Sequence, residues 1–168
     1  MKRYLTTVIL ILGFGITTNA QTAIGKKTVS TASVLLDFSA STTKGIILPA
    51  VETLPTSPAN GTFVLDRNDR KIKMRQPSVW IELSESGSIA SLVPYSGTSD
   101  NTRKTVMGAR ESGANGVLVL ESTNKALVLP HVANPHSTVK SPYPGMMCYD
   151  TVKKALAVFD GSVWNYWK

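Results

Sequence analysis

The chain has a single cysteine, Cys148, among 168 residues. That excludes an internal disulfide, and with it the stapled mini-domain design of many small exported proteins. Histidine is almost as scarce, at two residues, His131 and His136. Aromatic residues make up 7% of the chain, so any core must be built mainly from aliphatic side chains. Beyond residue 20 no apolar run approaches the roughly 20 residues that a membrane helix requires, and no transmembrane segment is expected there. Sustained helical periodicity is missing from the same stretch, which turns the reading towards strands.

The first 20 residues have the three parts of a secretory signal: Lys2 and Arg3, an apolar run from Val8 to Ile16, and the small residues Thr18 and Ala20 at positions −3 and −1. Cleavage is expected after Ala20, leaving Gln21 as the mature N-terminus of an exported protein at the cell surface or outside the cell, with the periplasm as the other location. No cysteine follows the cleavage point, so N-terminal acylation is not expected. Loss of Lys2 and Arg3 takes two from the formal net charge of +7 and leaves +5. That balance suits an anionic partner. For an exported protein nucleic acid is not expected, and acidic polysaccharide or the outer leaflet is the natural candidate, against a basic surface that is merely solvated.

Laid on itself, the chain repeats. Lys26-Lys27-Thr28-Val29 aligns with Arg103-Lys104-Thr105-Val106, Leu36-Asp37 with Leu120-Glu121, and Lys44 to Pro49 with Lys125 to Pro130. After a variable Pro/Ser/Thr segment follow Pro58 with Pro142, Gly61 with Gly145, Asp66 with Asp150, and Ser78-Val79-Trp80 with Ser162-Val163-Trp164, without a gap. The division expected is a signal at 1–20, a first module at 21–83, a Ser/Gly-rich linker at 84–102 with at most one short strand in its apolar patch from Ile89 to Tyr95, and a second module at 103–168. On this alignment Gly108 to Gly116 is a loop longer than its counterpart, Ser30 to Ser33.

Each copy reads as short strands. Val34 to Phe38 and Val117 to Glu121 are apolar runs of strand length. Ile46 to Leu48 and Leu127 to Leu129 end at prolines, which mark strand exits. Val51 to Asn60 and Val132 to Tyr143 read as extended loops. Two hairpins follow, Thr62–Leu65 with Lys71–Arg75 and Met146–Tyr149 with Ala155–Phe159, and a tight turn at Asp160-Gly161 leads to a closing strand, Val163–Trp167. The fold class is all-β: two tandem short-strand modules, packed together or around an oligomer axis.

The segments Thr31 to Asp37 and Ser41 to Pro49 resemble a module frequent in secreted surface proteins of the Bacteroidota, similar also to shaft repeats of tail fibres and adhesins. The second copy adds that module's hairpin and closing strand through Pro142, Gly145, Tyr149, Asp150, Phe159-Asp160-Gly161 and Trp164. The resemblance implies a β-structured, adhesin-like module, often oligomeric, with no catalytic residues to carry over. The chain departs from it at Ala50 and His131, where the family usually has arginine.

Chemistry-bearing patterns are few. His131, His136 and Cys148 lack the compact spacing of a zinc site, and Ala50 and Val64 replace two of them in the first copy, so no metal or cofactor is expected. Gly108 to Gly113 has the glycine spacing of a phosphate loop, but Ala114-Asn115 replaces the Lys-Ser/Thr that would hold phosphate and magnesium. Asp66 and Asp150 are one acid per copy at a turn, where aspartate bonds its own backbone, rather than the facing pair that glycoside hydrolysis needs. No enzyme is expected.

Candidate contact residues are Lys71, Lys73 and Arg75, whose alternation gives one strand a basic face, and Tyr166 and Trp167 at the C-terminal strand. The basic strand has two readings, an acidic-glycan site or an edge strand kept from aggregating by its charge, with the edge preferred. Trp80 and Trp164 recur and are expected as anchors of each module's core. The function expected is a non-enzymatic structural or adhesive surface protein acting through protein contacts; the alternatives are a carbohydrate-binding module for acidic glycans and an accessory subunit of an outer-membrane export or uptake complex. A copy of about 60 residues is marginal without staples. Self-association, with a trimer favoured, is therefore expected, unless the two copies bury one another within the chain.

Overall fold

A computed structural model describes residues 21–93 and 104–168. The expected signal segment at 1–20 and the part of the linker at 94–103 lie outside the described residues. The rest is almost entirely β. The first half contributes β1 (Thr22–Ile24), β2 (Val34–Phe38), β3 (Ile46–Ile47), β4 (Ala50–Val51), β5 (Phe63–Asp66), β6 (Lys71–Gln76) and β7 (Val79–Glu82). The second contributes β8 (Thr105–Met107), β9 (Leu118–Leu120), β10 (Ala126–Leu127), β11 (His131–Val132), β12 (Met146–Asp150), β13 (Ala155–Phe159) and β14 (Trp164–Trp167). A single helical turn, α1 (Pro135–Thr138), interrupts the extended segment before β12, with Pro135 opening it.

The two halves match strand for strand, and the ladders carry the same register. Phe63 faces Met74 as Met147 faces Val158, and Lys73 faces Glu82 as Ala157 faces Tyr166. Turn chemistry fixes this. Gly61 donates its N–H to the Arg75 carbonyl (2.8 Å) while Arg75 donates to the Thr62 carbonyl (2.8 Å), so two residues oppose one. Such a glycine bulge needs positive φ, and Gly61 and Gly145 stand at +81° and +85°. Their recurrence in the sequence marks this device.

The start of the repeat differs from the sequence alignment. β1 runs parallel to β2, with Ile24 opposite Phe38, and β8 runs parallel to β9, with Met107 opposite Leu120. Thr22-Ala23-Ile24-Gly25 is thus the counterpart of Thr105-Val106-Met107-Gly108, and Thr28-Val29 lies in the loop after β1. The loops Gly25–Ser33 and Gly108–Val117 are nearly equal in length, so the second is no insertion. Matching side chains misled the alignment here because loop residues are not held by the ladder. Leu118 takes the structural place of Leu36.

The halves are joined by exchange. β3 of the first half adds antiparallel to β12 of the second, pairing Ile46 with Met147 and Ile47 with Met146. In return β10 adds parallel to β2, with Ala126 opposite Val34. Leu48, Leu65, Ile72 and Leu83 form one buried cluster with Met147 and Val158. The two copies therefore bury one another within the chain. A thin core per copy no longer argues for association by itself. Ser84 to Val93 is packed down as a strap: Ser84 accepts the Ile72 N–H (3.0 Å), Gly87 donates to Arg70 (2.9 Å) and Ser88 donates to Asp160 (3.0 Å). Leu92 closes over the shared core. Residues 89–93 form no strand, and the end of the apolar patch lies outside the described residues.

Candidate functional site

β6 is not an edge. It lies between β5 and β7 in a four-stranded sheet ordered β4-β5-β6-β7, because the hairpin before it and the tight turn after it supply both neighbours. Charge on this strand therefore has no edge to protect. It is spent inside the sheet. Lys73 is buried and its ammonium bonds Asp66 at 2.8 Å and also Asp69, while Lys71 bonds Glu82 at 2.7 Å. Arg75 lies over the Trp80 ring, 5.9 Å from its centroid. Burial works against ionisation of Lys73, but the two carboxylates outweigh it and raise its pKa; Glu82 does the same for Lys71. The carboxylates that neutralise this face were visible in the sequence as Asp66, Asp69 and Glu82, but only the ladder register brings them together.

The aromatic candidates divide. Trp164 packs with Tyr166 against the small cluster Val132, Cys148 and Ala157, and sits 5.4 Å from the Phe159 ring. Trp80 is half-buried and belongs to neither cluster. Tyr166 lies under Lys153, whose ammonium is 3.6 Å from the ring centroid. Trp167 is 44% exposed, yet its indole N–H donates to the Leu83 carbonyl at 2.8 Å. It latches the last strand onto the first repeat. Its polar end is occupied, leaving only a ring face open to a partner.

His131, His136 and Cys148 do not converge. His131 tilts against the Tyr149 ring at 5.3 Å, His136 stands 3.4 Å from the Tyr166 hydroxyl, and Cys148 is buried, its thiol pushed up to about 12 by burial with Asp150 adding to the shift. Among the described residues no three His, Cys, Asp or Glu side chains are gathered as a metal site would need. No helix among them is long and apolar enough to cross a membrane. Asp66 and Asp150 do sit at hairpin turns: Asn68 donates to the first at 3.0 Å, and Val152 and Lys153 to the second at 2.9 and 3.2 Å.

Three buried carboxyls, Asp37, Asp66 and Asp150, share one electrostatic logic. Burial alone would raise their pKa values, and hydrogen bonds outweigh it: from Lys26 and the Ser30 N–H to Asp37, from Lys73 and Asn68 to Asp66, and from backbone N–H groups to Asp150. All three end below the ordinary carboxylate value. Their stabilising effect is present above an unfolded pKa of about 3.9 and is lost as pH falls through the lower folded values. Thermal melts are expected to hold a level midpoint from pH 7 to about pH 5 and a steady fall below about pH 4. An unchanged midpoint at about pH 2 would refute this coupling.

Residues 107–168 match the family described as phage tail like trimerisation region, which covers the second repeat from the end of β8 to residue 168 and less than half of the chain. No curated protein and no solved structure matches. The matched family is a structural, oligomer-forming region rather than an enzyme family, and the nearly all-β chain agrees with a tail-fibre-like module.

Proposed function

We propose that the protein is a non-enzymatic structural component of an exported fibre- or adhesin-like assembly, and that three chains associate through their β-modules. The observation that carries this is the match of the second repeat to a trimerisation region, supported by the strand-for-strand equivalence of the first repeat. Export rests on the composition of residues 1–20, and its check is the N-terminus of protein taken from the cell envelope, expected at Gln21. The glycan reading draws less support, because Lys71 and Lys73 already hold carboxylates.

The test is mass in solution. Residues 21–168 at micromolar concentration are expected to elute with the light-scattering mass of three chains. A single-chain mass that persists as concentration rises would overturn the proposal.

A further inference from the structure

Within the chain the two repeats do not use one another symmetrically. β3 fills a slot on β12: Leu48 donates its N–H to the Gly145 carbonyl (3.0 Å), and Ile46 and Ile47 pair with Met147 and Met146. The equivalent slot on the first repeat is the edge of Gly61, Thr62 and Phe63 beside β5. Among the described residues no strand fills it, since β4 pairs with β5 only at Leu65 and Asp66. The glycines register the difference. A Cβ on Gly145 would meet the Leu48 carbonyl at 3.5 Å, whereas one on Gly61 would meet none of the described residues within 4 Å.

The strand that belongs in that slot is also half used. Ala126 of β10 and Val128 just after it donate their N–H groups to the carbonyls of Ser33, just before β2, and of Leu36 in it (2.8 and 3.0 Å). Alternation along an extended strand turns Leu127 and Leu129 to the opposite edge, and these are the counterparts of Ile46 and Leu48. A second pair of free edges matches in the same way. Among the described residues β2 carries β1 and β10 on its two edges, but β9 carries only β8, and β3 has an edge that β12 does not use. The apolar side chains along these edges are open, with Ile47, Leu118 and Leu127 at 47, 45 and 36% exposure.

We propose that chains join head to tail by repeating between molecules the two pairings that join the repeats within one: β10 of one chain on the β5 edge of the next, and β3 of that next chain on β9 of the first. The occupant of the open edge is a second copy of this chain, so the proposal rests on the self-association reading above and gives it a register. Leu127 pairs with Phe63 and Val128 with Thr62, and the Leu129 N–H donates to the Gly61 carbonyl. Ala126 stands in the place of Gly45, just before β3, and a Cβ added to Gly45 would lie 2.6 Å from the Met147 carbonyl; β10 is therefore splayed slightly further from Phe63 at its start than β3 is from Met147, and its ladder runs from Leu127 onward. The contact is heterologous, and such contacts yield closed rings when the rotation permits. Closure at three chains leaves no such edge exposed.

The experiment uses residues 21–168 with Cys148→Val, the residue that the first repeat has at Val64. Thr62→Cys and Val128→Cys are placed on separate chains, which are refolded together and oxidised mildly. Directly opposite residues of an antiparallel pair lie within disulfide reach, so most chains in mixed assemblies are expected as linked pairs on a non-reducing gel, and neither variant alone links. Carrying both cysteines, one chain type is expected to give covalently closed trimers. Thr62→Cys with Leu127→Cys, one residue out of register, is expected to stay unlinked. A trimer by light scattering that does not link at Thr62 and Val128 overturns this inference alone, and a monomer overturns the self-association reading with it. Leu127→Pro supplies a second test, because it deletes the outward N–H and keeps both bonds to β2. A folded monomer is expected, and a folded trimer of undiminished stability to dilution would reject the interface.

Discussion

Truncating Leu65 to alanine is expected to lower the stability of both repeats at once, in a single transition. Leu65 is fully buried in the cluster that holds Ile72 and Leu83 of the first repeat and Met147 and Val158 of the second. Loss of a buried leucine costs about 2–5 kcal/mol, according to how far the cavity collapses, against a total of about 5–15 kcal/mol for a typical domain. Each repeat also completes the other's ladders, so neither has an intact sheet system once its partner melts. Tryptophan placement makes this measurable. Trp80→Phe leaves Trp164 and Trp167 to report on the second repeat, and Trp164→Phe with Trp167→Phe leaves Trp80 to report on the first. Trp167→Phe gives up the bond to Leu83, so each reporter is compared with and without Leu65→Ala in its own tryptophan background, and both midpoints are expected to move down by similar amounts. Two separated transitions, with only the first repeat shifted, would show that the repeats fold as independent units.

Much of this organisation was legible as a pattern of residues, because hairpins are specified locally. The glycine at 61 and 145, the aspartate at 66 and 150, and the fixed spacing to Trp80 and Trp164 each perform a backbone task at one place in a ladder, and both hairpins lie where these signals put them. The parallel pairings were not legible. β1 with β2, β4 with β5 and β10 with β2 join segments of two to five residues across irregular loops, and nothing local encodes the partner of so short a strand. The same limit lies behind the alignment of Lys26 to Val29 with Arg103 to Val106, where the parallel pairs match Thr22 to Ile24 with Thr105 to Met107. Lys26 instead bonds the buried Asp37 at 2.7 Å, a role that its alignment with Arg103 did not suggest.

The candidate contact residues show a related limit. Alternation gave Lys71, Lys73 and Arg75 one face correctly, but the sign of that face depended on which residues stand opposite. Glu82 bonds Lys71, and Asp66 and Asp69 from the hairpin before β6 bond Lys73, so two of the three cations are neutralised. Trp167, a candidate contact residue from the sequence, links the last strand to Leu83 in the structure. That bond comes from the packing of one copy on the other, which no local pattern encodes.

Asp150→Ala is expected to be more damaging than Asp150→Asn, and the contrast follows from how the repeats diverged around one turn. Asp150 is fully buried, and its Oδ1 accepts N–H groups from Asn134, Val152 and Lys153 at 3.2, 2.9 and 3.2 Å. Alanine strands these donors, at about 1–3 kcal/mol for a donor left unsatisfied away from water. Val152 and Lys153 are exposed, so water rescues part of that loss and about 2–4 kcal/mol in total is expected. Asparagine keeps an Oδ1 acceptor for these donors, although it gives up the charge that they stabilise, so the loss is expected to be smaller than for alanine. In the first repeat the equivalent Oδ2 of Asp66 holds Lys73, whose place in the second repeat is taken by Ala157. Asp66→Asn therefore breaks a buried ion pair and leaves Lys73 to Asp69 alone. The expected order of destabilisation at pH 7 from denaturant midpoints is Asp150→Ala above Asp150→Asn, with Asp66→Asn costing more than Asp150→Asn. Equal losses for the two asparagine variants would show that Lys73 gains nothing from Asp66.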